Sequence, residues 1–305
     1  SYLGVLFELS IYLLYLGVLD RSHDPSPLRL TNGPTWPKSL GSLACGEETK
    51  LISYVTINTR NQDISFISAV DRHTAEKLVE HFQRIDNDDR FKVAILYGGT
   101  DVFCSGADLK AMTSPDSRNR LSEDGDAPMG LSRMLLKKPV IAAISGYCVA
   151  GGLELACWCD MRVAEEDAVF GVFCRRFGVP LIDGGTIRLP RLIGISRALD
   201  LILTGRAVDT KEAHEIGLVN RIAPKGKVLE HAIDLAKLIA SFPQMCMRSD
   251  RISAYQQWDL PFDEAIRNEF RLGNESLKTE GLNGANLFKS GVGKHGSFTL
   301  PQSKL

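Results

Sequence analysis

Two adjacent glycines, followed within one helical turn by a glutamate, form the pattern in this chain with the clearest chemical meaning. Residues 139–145 are rich in Val and Ile, which predicts a buried strand, and residues 153–159 predict a helix that Gly151 and Gly152 open. The first N–H groups of a helix lack internal partners, so bare glycine backbone there can hold an oxygen that gains negative charge. Glu154 lies on the same helix face as Gly151. An anion site beside a carboxylate suits enolate chemistry.

A second stretch, Phe103–Lys110, has a similar character. It follows the strand-like residues 92–97 and the small-residue turn 98–100, and it contains Gly106. A strand followed by small residues exposes backbone N–H groups at the strand's end, where open α/β folds place their ligands. Two such donors converging on one carbonyl oxygen would form an oxyanion hole, with each donor contributing about 3 kcal/mol at the transition state.

Three segments together resemble the crotonase (enoyl-CoA hydratase/isomerase) superfamily in order and spacing. They are Phe103–Lys110, Ser145–Asp160 and Phe170–Leu189, and the likeness extends over residues 50–297. The resemblance implies an α/β fold, a crotonase-like spiral of ββα units followed by a C-terminal helical region. In that family the C-terminal helices commonly pack across a trimer interface, so the resemblance also implies a homotrimer or a dimer of trimers.

The resemblance assigns roles to individual positions. It implies that the N–H groups of Ala107 and Gly151 polarise the thioester carbonyl of an acyl-CoA and that Glu154 handles protons. Coenzyme A is then part of the substrate, so no separate cofactor and no metal are expected. Further residues of the matching motifs are expected to line the substrate site: Gly106, Asp108, Leu109, Gly152 and Cys174.

A second proton-transfer group is less clear from the sequence. Hydration of a 2-enoyl thioester needs a base for water and an acid for C2, which two carboxylates share most easily. The family's hydratases carry their second glutamate at the position of Cys174, and a thiol with a pKa of about 8.5 is a poor replacement. Asp183 is the nearest other carboxylate in the segment, and related dienoyl-CoA isomerases use an aspartate near this point. Alternatively, Asp183 caps a helix that starts at Gly184.

The function hypothesis is therefore an acyl-CoA-processing enzyme, an enoyl-CoA hydratase-like lyase of fatty-acid β-oxidation. One alternative is an enoyl- or dienoyl-CoA isomerase, because a single glutamate can move one proton between two carbons. Thioester hydrolysis and decarboxylation also stay open. A further alternative is a non-catalytic acyl-CoA-binding homologue, since fold alone does not decide function. The formal net charge of −1 gives no indication of a nucleic-acid partner.

The chain divides into five predicted parts. Residues 1–19 are an apolar extension, 20–49 a proline-containing linker, 50–254 the crotonase-like core, 255–297 a C-terminal helical trimerisation region, and 298–305 a polar tail. Within the core and the helical region we expect strands at 51–58, 92–98, 139–145 and 161–164, and helices at 71–87, 196–204, 210–216, 228–241 and 262–277.

The two ends and the cysteines suggest a location. Ser303-Lys304-Leu305 matches a C-terminal peroxisomal address, which predicts import by the peroxisomal receptor. Seven cysteines without disulfide-like regularity suit a reducing compartment. A mitochondrial location is an alternative, and so is a membrane anchor through residues 1–19, because roughly 20 apolar residues span a bilayer.

Overall fold

Short and medium strands recur along the chain in the computed structural model, which describes residues 52–56 and 69–293. The strands are β1 (Ile52–Thr56), β2 (Ala69–Val70), β3 (Val93–Tyr97), β4 (Val102–Cys104), β5 (Gly106–Ala107), β6 (Val140–Ile144), β7 (Tyr147–Val149), β8 (Met161–Glu165), β9 (Val169–Gly171), β10 (Val208–Asp209) and β11 (Arg221–Ala223).

The strands assemble into three sheets with a repeating order. The main sheet is parallel throughout, in the order β1-β3-β6-β8-β11. A second sheet has the order β10-β9-β7-β4, and β2 pairs in parallel with β5. In each of the pairs β3/β4, β6/β7 and β8/β9, the first strand enters the main sheet and the second enters the other sheet. This repetition is the spiral of ββα units that the resemblance implies.

Helices fill the intervals and form the C-terminal part. They are α1 (Arg72–Asn87), α2 (Gly151–Trp158), α3 (Gly185–Ile193), α4 (Ile195–Thr204), α5 (Thr210–Glu215), α6 (Val228–Ala240), α7 (Gln244–Gln256), α8 (Phe262–Ser276) and α9 (Leu282–Lys289). Short 3₁₀ turns occur at Ala111–Thr113, Leu131–Arg133, Phe173–Phe177 and Gln257–Asp259, and one π-helical turn, Leu277–Gly281, joins α8 to α9.

The main sheet is buried on both faces, which explains its uninterrupted apolar strands. Ala94 and Leu96 of β3 belong to one apolar cluster, whereas Val93 and Ile95 belong to the other. Because successive side chains of a strand point to opposite faces, both clusters form against the same strands. Helix α6 contributes Val228, Ala232, Leu235 and Ala236 to the second cluster.

Helix α1 shows how local sequence fixes an element. Its N-cap is Asp71, whose carboxylate accepts the N–H of Thr74 at 2.8 Å. The periodicity indicates a face of Ala75, Leu78, Phe82 and Ile85, and the structure buries these four residues together with Val79. The amphipathic pattern and the cap together make this helix predictable from sequence.

Most of the longer elements are confirmed. The predicted strands and helices are all present with slightly different ends, and the C-terminal region is helical. The short strands and the helices α7 and α9 were not predicted, and the helix expected to start at Gly184 is α3, which begins at Gly185. The segments 1–19, 20–49 and 298–305, with the tripeptide Ser303-Lys304-Leu305, lie outside the described residues. Within the described ranges, no helix combines the length and the apolar character that a membrane span requires.

Asp160 ties helix α7 to the main sheet. Its Oδ1 accepts from Arg251 Nε and from the Tyr255 hydroxyl, both at 2.7 Å, and its Oδ2 accepts the N–H of Val140 at 2.6 Å. The Arg251 and Asp160 side chains are each 13% exposed, so they are largely desolvated.

We expect Asp160→Ala to lower the free energy of unfolding by about 3 kcal/mol, because it leaves the Arg251 charge without its partner. Urea denaturation measures this. Glu230→Ala, which breaks the exposed ion pair with Lys227, is the control and should cost much less. Equal losses in the two variants would contradict the importance of this connection.

Candidate active site

Glu154 lies in the first turn of α2, a helix whose residues are all buried. The residue is only 3% exposed. Its carboxyl oxygen Oε1 accepts the N–H groups of Asp183 at 2.9 Å and Gly185 at 2.8 Å. A Cβ on Gly185 would lie 2.9 Å from that same oxygen, so a larger residue would push the carboxyl away. The contacts hold the carboxyl in one orientation.

Burial gives this carboxyl an unusual acidity. Desolvation raises the pKa of Glu154 to about 7, the hydrogen bond from Gly185 opposes that rise, and the negative charge of Asp183 adds to it. Near neutral pH both protonation states are populated. A group in this condition can accept a proton in one step and return it in the next.

The two small-residue stretches meet beside the start of α2. A Cβ on Gly106 would lie 2.8 Å from the backbone nitrogen of Gly151, and a Cβ on Gly151 would lie 3.2 Å from Gly106 Cα. The structure therefore brings Gly106 and its neighbour Ala107 next to Gly151. Gly152 lies close to the preceding strand, β4, since a Cβ on Gly152 would lie 2.0 Å from the Cys104 carbonyl oxygen. Glycine is required for the helix to approach β4 and β5 this closely.

Strand and helix bonding leaves the expected donors available. The Asp108 N–H donates to Val70 O at 3.0 Å across the β2–β5 pair. Successive N–H groups of a strand point to opposite edges, so the Ala107 N–H points away from β2. Gly151 is the first residue of α2, and the first N–H groups of a helix have no partner within it.

A strained turn directs the start of α2. Ala150 has φ 53° and ψ −127°, a conformation that non-glycine residues rarely adopt. Its N–H donates to Gly171 O at 2.9 Å, and its carbonyl accepts from Leu153 and Glu154. Such strain costs about 1–3 kcal/mol and persists where the surrounding structure imposes it. The turn from β7 into α2 thereby aims the backbone of Gly151.

Asp183 is buried, with 4% exposure, but it does not cap a helix. Helix α3 begins at Gly185, and its N-cap residue is Gly184, without a side-chain capping bond. The helix-cap alternative for Asp183 is therefore wrong. Its Oδ1 instead accepts the Met129 N–H at 2.9 Å and the Ser132 hydroxyl at 2.7 Å.

The remaining predicted positions, Cys174, Asp108 and Leu109, differ in their surroundings. Cys174 is half-buried in a 3₁₀ turn, and burial together with the negative charge of Glu154 raises the pKa of its thiol. It is therefore a neutral group near the carboxyl. Asp108 Oδ1 accepts the N–H groups of Lys110 at 2.8 Å and Ala111 at 3.4 Å, so it shapes its own loop. Leu109 is exposed on that loop.

Three residues near the site were missed by sequence reasoning. Met129 and Ser132 lie in an irregular stretch without periodicity, and Arg188 is a half-buried residue of α3. The Arg188 guanidinium donates to Ser132 O at 2.6 Å and to Asp183 O at 3.3 Å. No group of three or more metal-ligating side chains occurs among the described residues.

Comparisons with known proteins identify the family of this chain. The family model described as enoyl-CoA hydratase/isomerase matches residues 47–282. A probable mitochondrial enoyl-CoA hydratase of Dictyostelium discoideum is 32% identical over 256 residues, which cover 81% of this chain and 80% of that protein. A probable enoyl-CoA hydratase of Rhizobium meliloti is 34% identical over 232 residues, which cover 75% of this chain and 87% of that protein.

Solved structures give the same result. The crystal structure of an enoyl-CoA hydratase from Mycobacterium tuberculosis has a TM-score of 0.72 and 31% identity, and the match covers 78% of this chain and 92% of that one. That of enoyl-CoA hydratase EchA1 from Mycobacterium marinum has a TM-score of 0.71 and 28% identity, with 78% and 91% covered. This chain belongs to the enoyl-CoA hydratase/isomerase family and has its fold.

Proposed function

We propose that this protein catalyses the reversible hydration of a 2-enoyl-CoA thioester. The observation that carries the proposal is the position of Glu154, a buried carboxyl with a pKa of about 7, in the first turn of the helix that Gly151 opens. Membership in the enoyl-CoA hydratase/isomerase family supports the substrate class. Coenzyme A enters as part of the substrate, so the reaction needs no further cofactor.

The paired backbone donors would activate the substrate. The thioester oxygen would accept the N–H groups of Ala107 and Gly151, which withdraws electron density from the conjugated double bond and makes C3 electrophilic. As the enolate forms, negative charge grows on the same oxygen. Donors fixed by a strand and a helix stabilise that charge without reorganising, at about 3 kcal/mol for each donor.

One carboxyl can complete the proton transfers. Ionised Glu154 takes a proton from a water molecule while the water oxygen forms its bond to C3. The electron pair of the double bond moves onto the thioester as an enolate. The carboxylic acid of Glu154 then gives its proton to C2, and the enolate returns to a thioester. One water is added and the carboxylate is regenerated.

No second carboxyl is needed for this sequence. Cys174, at the position of the hydratases' second glutamate, has a raised pKa and stays a neutral thiol. The Asp183 carboxylate already accepts two hydrogen bonds on one oxygen. Glu154 is thus the side chain proposed to act as base and then as acid.

The pH dependence of the reaction tests this assignment. Because Glu154 must be ionised to take a proton from water, we expect kcat/KM for crotonyl-CoA to fall about tenfold per pH unit below a pKa of about 7. The charged and titratable groups around it are Asp183, Arg188, Cys174 and Cys157. Loss of thioester-conjugation absorbance gives the rates. An acid limb near the pKa of an ordinary glutamate would contradict the assignment.

Isomerisation of a double bond is the second candidate. The single proton-carrying carboxyl of this site favours it, because one group can remove a proton from C2 of a 3-enoyl-CoA, which forms a dienolate, and return the proton to C4. The product gains the conjugated absorbance that hydration removes, so the two reactions have opposite signs in the same assay. Binding of coenzyme A esters without turnover of any enoyl, dienoyl or 3-hydroxy thioester would indicate a non-catalytic homologue.

We also propose that the protein forms trimers through its C-terminal helices, either singly or as a dimer of trimers. Helix α8 exposes Phe262, Ile266 and Phe270 at 78%, 49% and 72%, at the spacing of one helix face. An apolar stripe of this kind is typical of an interaction surface. Native mass spectrometry measures the assembly, and Phe270→Glu should shift it toward monomers.

Import into peroxisomes stays a prediction of the tail sequence.

A further inference from the structure

We propose that Asp183 is a positioning residue. Through the segment 129–132, it fixes the position of the base Glu154 relative to the oxyanion donor Gly151. The proposal rests on the function proposed above. It assigns to this carboxylate a role that requires two accepted hydrogen bonds and no proton transfer to the substrate.

The carboxylate of Asp183 holds the segment 129–132 from one oxygen atom. Its Oδ1 accepts the N–H of Met129 at 2.9 Å and the hydroxyl of Ser132 at 2.7 Å. Asp183 is 4% exposed, so water competes little for these bonds. The segment contains no helix or strand longer than the 3₁₀ turn Leu131–Arg133, and it therefore depends on such side-chain bonds for its position.

The main chain of the same residue contacts the base. The N–H of Asp183 donates to Glu154 Oε1 at 2.9 Å, next to the 2.8 Å bond from Gly185. A displacement of Asp183 would therefore move one of the two donors that orient the carboxyl of Glu154. The side chain fixes Asp183 to the segment 129–132, and its backbone fixes Glu154.

The segment 129–132 in turn contacts the oxyanion donor. The buried side chain of Met129 packs against Gly151, with its Sδ 3.1 Å from the place where a Cβ on Gly151 would lie. Packing this close limits how far the first residue of α2 can move. The contacts thus run from the Asp183 carboxylate through Met129 to the backbone of Gly151.

Two further side chains hold the same part of the chain. Arg188 donates to Ser132 O at 2.6 Å and to Asp183 O at 3.3 Å.

Asn119 Nδ2 donates to Pro128 O at 2.8 Å and to Val70 O at 3.0 Å. The same Val70 oxygen accepts the N–H of Asp108, the residue after Ala107. The segment 129–132 is therefore connected to the strand that carries Ala107 as well as to Gly151.

The hydrogen-bond pattern separates positioning from acid–base chemistry. Both donors approach Oδ1, and the amide oxygen of an asparagine can accept the same two bonds. Asp183→Asn therefore keeps the contacts and removes the ionisable group, whereas Asp183→Ala removes both. A positioning role predicts that the two variants differ strongly, and a proton-transfer role predicts that they fail alike.

The test compares wild type, Asp183→Asn, Asp183→Ala and Ser132→Ala in hydration of crotonyl-CoA. We expect Asp183→Asn to keep kcat within about tenfold of wild type and Asp183→Ala to lose about 100-fold, since misplacement of reacting groups by about 1 Å costs that much. Ser132→Ala removes one of the two bonds and should lie between them. It also replaces Asp183→Ala if that variant does not fold.

A pH profile gives a readout that a merely structural role would not move. The charge of Asp183 raises the pKa of Glu154, so Asp183→Asn should shift the acid limb of kcat/KM to lower pH. Arg188, Cys174 and Cys157, the other groups around Glu154, are unchanged in this variant.

A spectroscopic probe keeps this proposal separate from the proposed reaction. 4-Aminocinnamoyl-CoA absorbs at longer wavelength when its thioester oxygen is polarised, with no turnover required. Asp183→Ala should lose most of the shift that wild type and Asp183→Asn produce. Equal failure of folded Asp183→Asn and Asp183→Ala, or a full shift with full activity in Asp183→Ala, would overturn the positioning role. Failure of wild type to hydrate any enoyl-CoA, with the shift intact, would overturn the proposed reaction alone.

Discussion

Replacing Glu154 with glutamine is expected to lower kcat for hydration of crotonyl-CoA by about 1,000-fold, the range in which positioned acid–base groups contribute. The glutamine oxygen can still accept the N–H groups of Asp183 and Gly185, so the local fold should persist. What is lost is the group that takes a proton from water and returns it to C2. Steady-state kinetics on the purified protein measures the loss.

Glu165 provides a matched control. It is also a buried glutamate, 3% exposed, and its Oε1 accepts a backbone N–H, that of Gly226, at 2.9 Å. It ends strand β8, and its donor Gly226 lies in the turn between β11 and α6. Glu165→Gln should keep the wild-type kcat. Equal activity of Glu154→Gln and wild type would remove Glu154 from the mechanism.

Gly106→Ala is expected to lower kcat by about 100-fold or more. The oxyanion hole would lose one hydrogen-bond donor, and the loss of a single donor lowers kcat by about that factor. Gly106 has φ +101°, and a Cβ there would lie 2.8 Å from the Gly151 nitrogen. Backbone must therefore move on one side of the site, and the Ala107 and Gly151 N–H groups can no longer converge. The affinity for coenzyme A itself, measured by calorimetry, should change much less than kcat.

The matched control is Gly99→Ala in the turn before β4. Gly99 has φ +115°, a similar unfavourable conformation for alanine, but a Cβ there would meet nothing within 4 Å. This variant carries the backbone strain of roughly 1–2 kcal/mol without the clash. It should melt at a lower temperature and keep wild-type turnover. If Gly106→Ala and Gly99→Ala had the same kcat, the close approach of Gly106 to Gly151 would have no catalytic meaning.

The long elements of this fold are predictable because one face or both faces of each are buried. The apolar strand Val140–Ile144 and the amphipathic helix Arg72–Asn87 carry their patterns within a single stretch of sequence. The short strands carry no such pattern. Gly106–Ala107 is a strand only because it pairs with Ala69–Val70, and two residues have no periodicity. Tertiary pairing decides these elements.

The candidate site divides in the same way. Gly151 and Glu154 lie within one helical turn, so their relation follows from local geometry. The contacts of Asp183 do not, since its partners Met129 and Ser132 are 54 and 51 residues distant in sequence. The helix-cap hypothesis failed because Gly184, in a left-handed conformation with φ 91°, takes the N-cap position and turns the chain so that the carboxyl faces the segment 129–132.

The proposed mechanism requires that two backbone N–H groups donate to a single thioester oxygen beside Glu154. A crystal structure of the Glu154→Gln variant with bound crotonyl-CoA tests it most directly. We expect the thioester oxygen about 2.7–3.1 Å from the nitrogens of both Ala107 and Gly151, with C2 and C3 facing the side chain of residue 154. A thioester oxygen that contacts neither nitrogen, or an acyl chain directed away from residue 154, would contradict it.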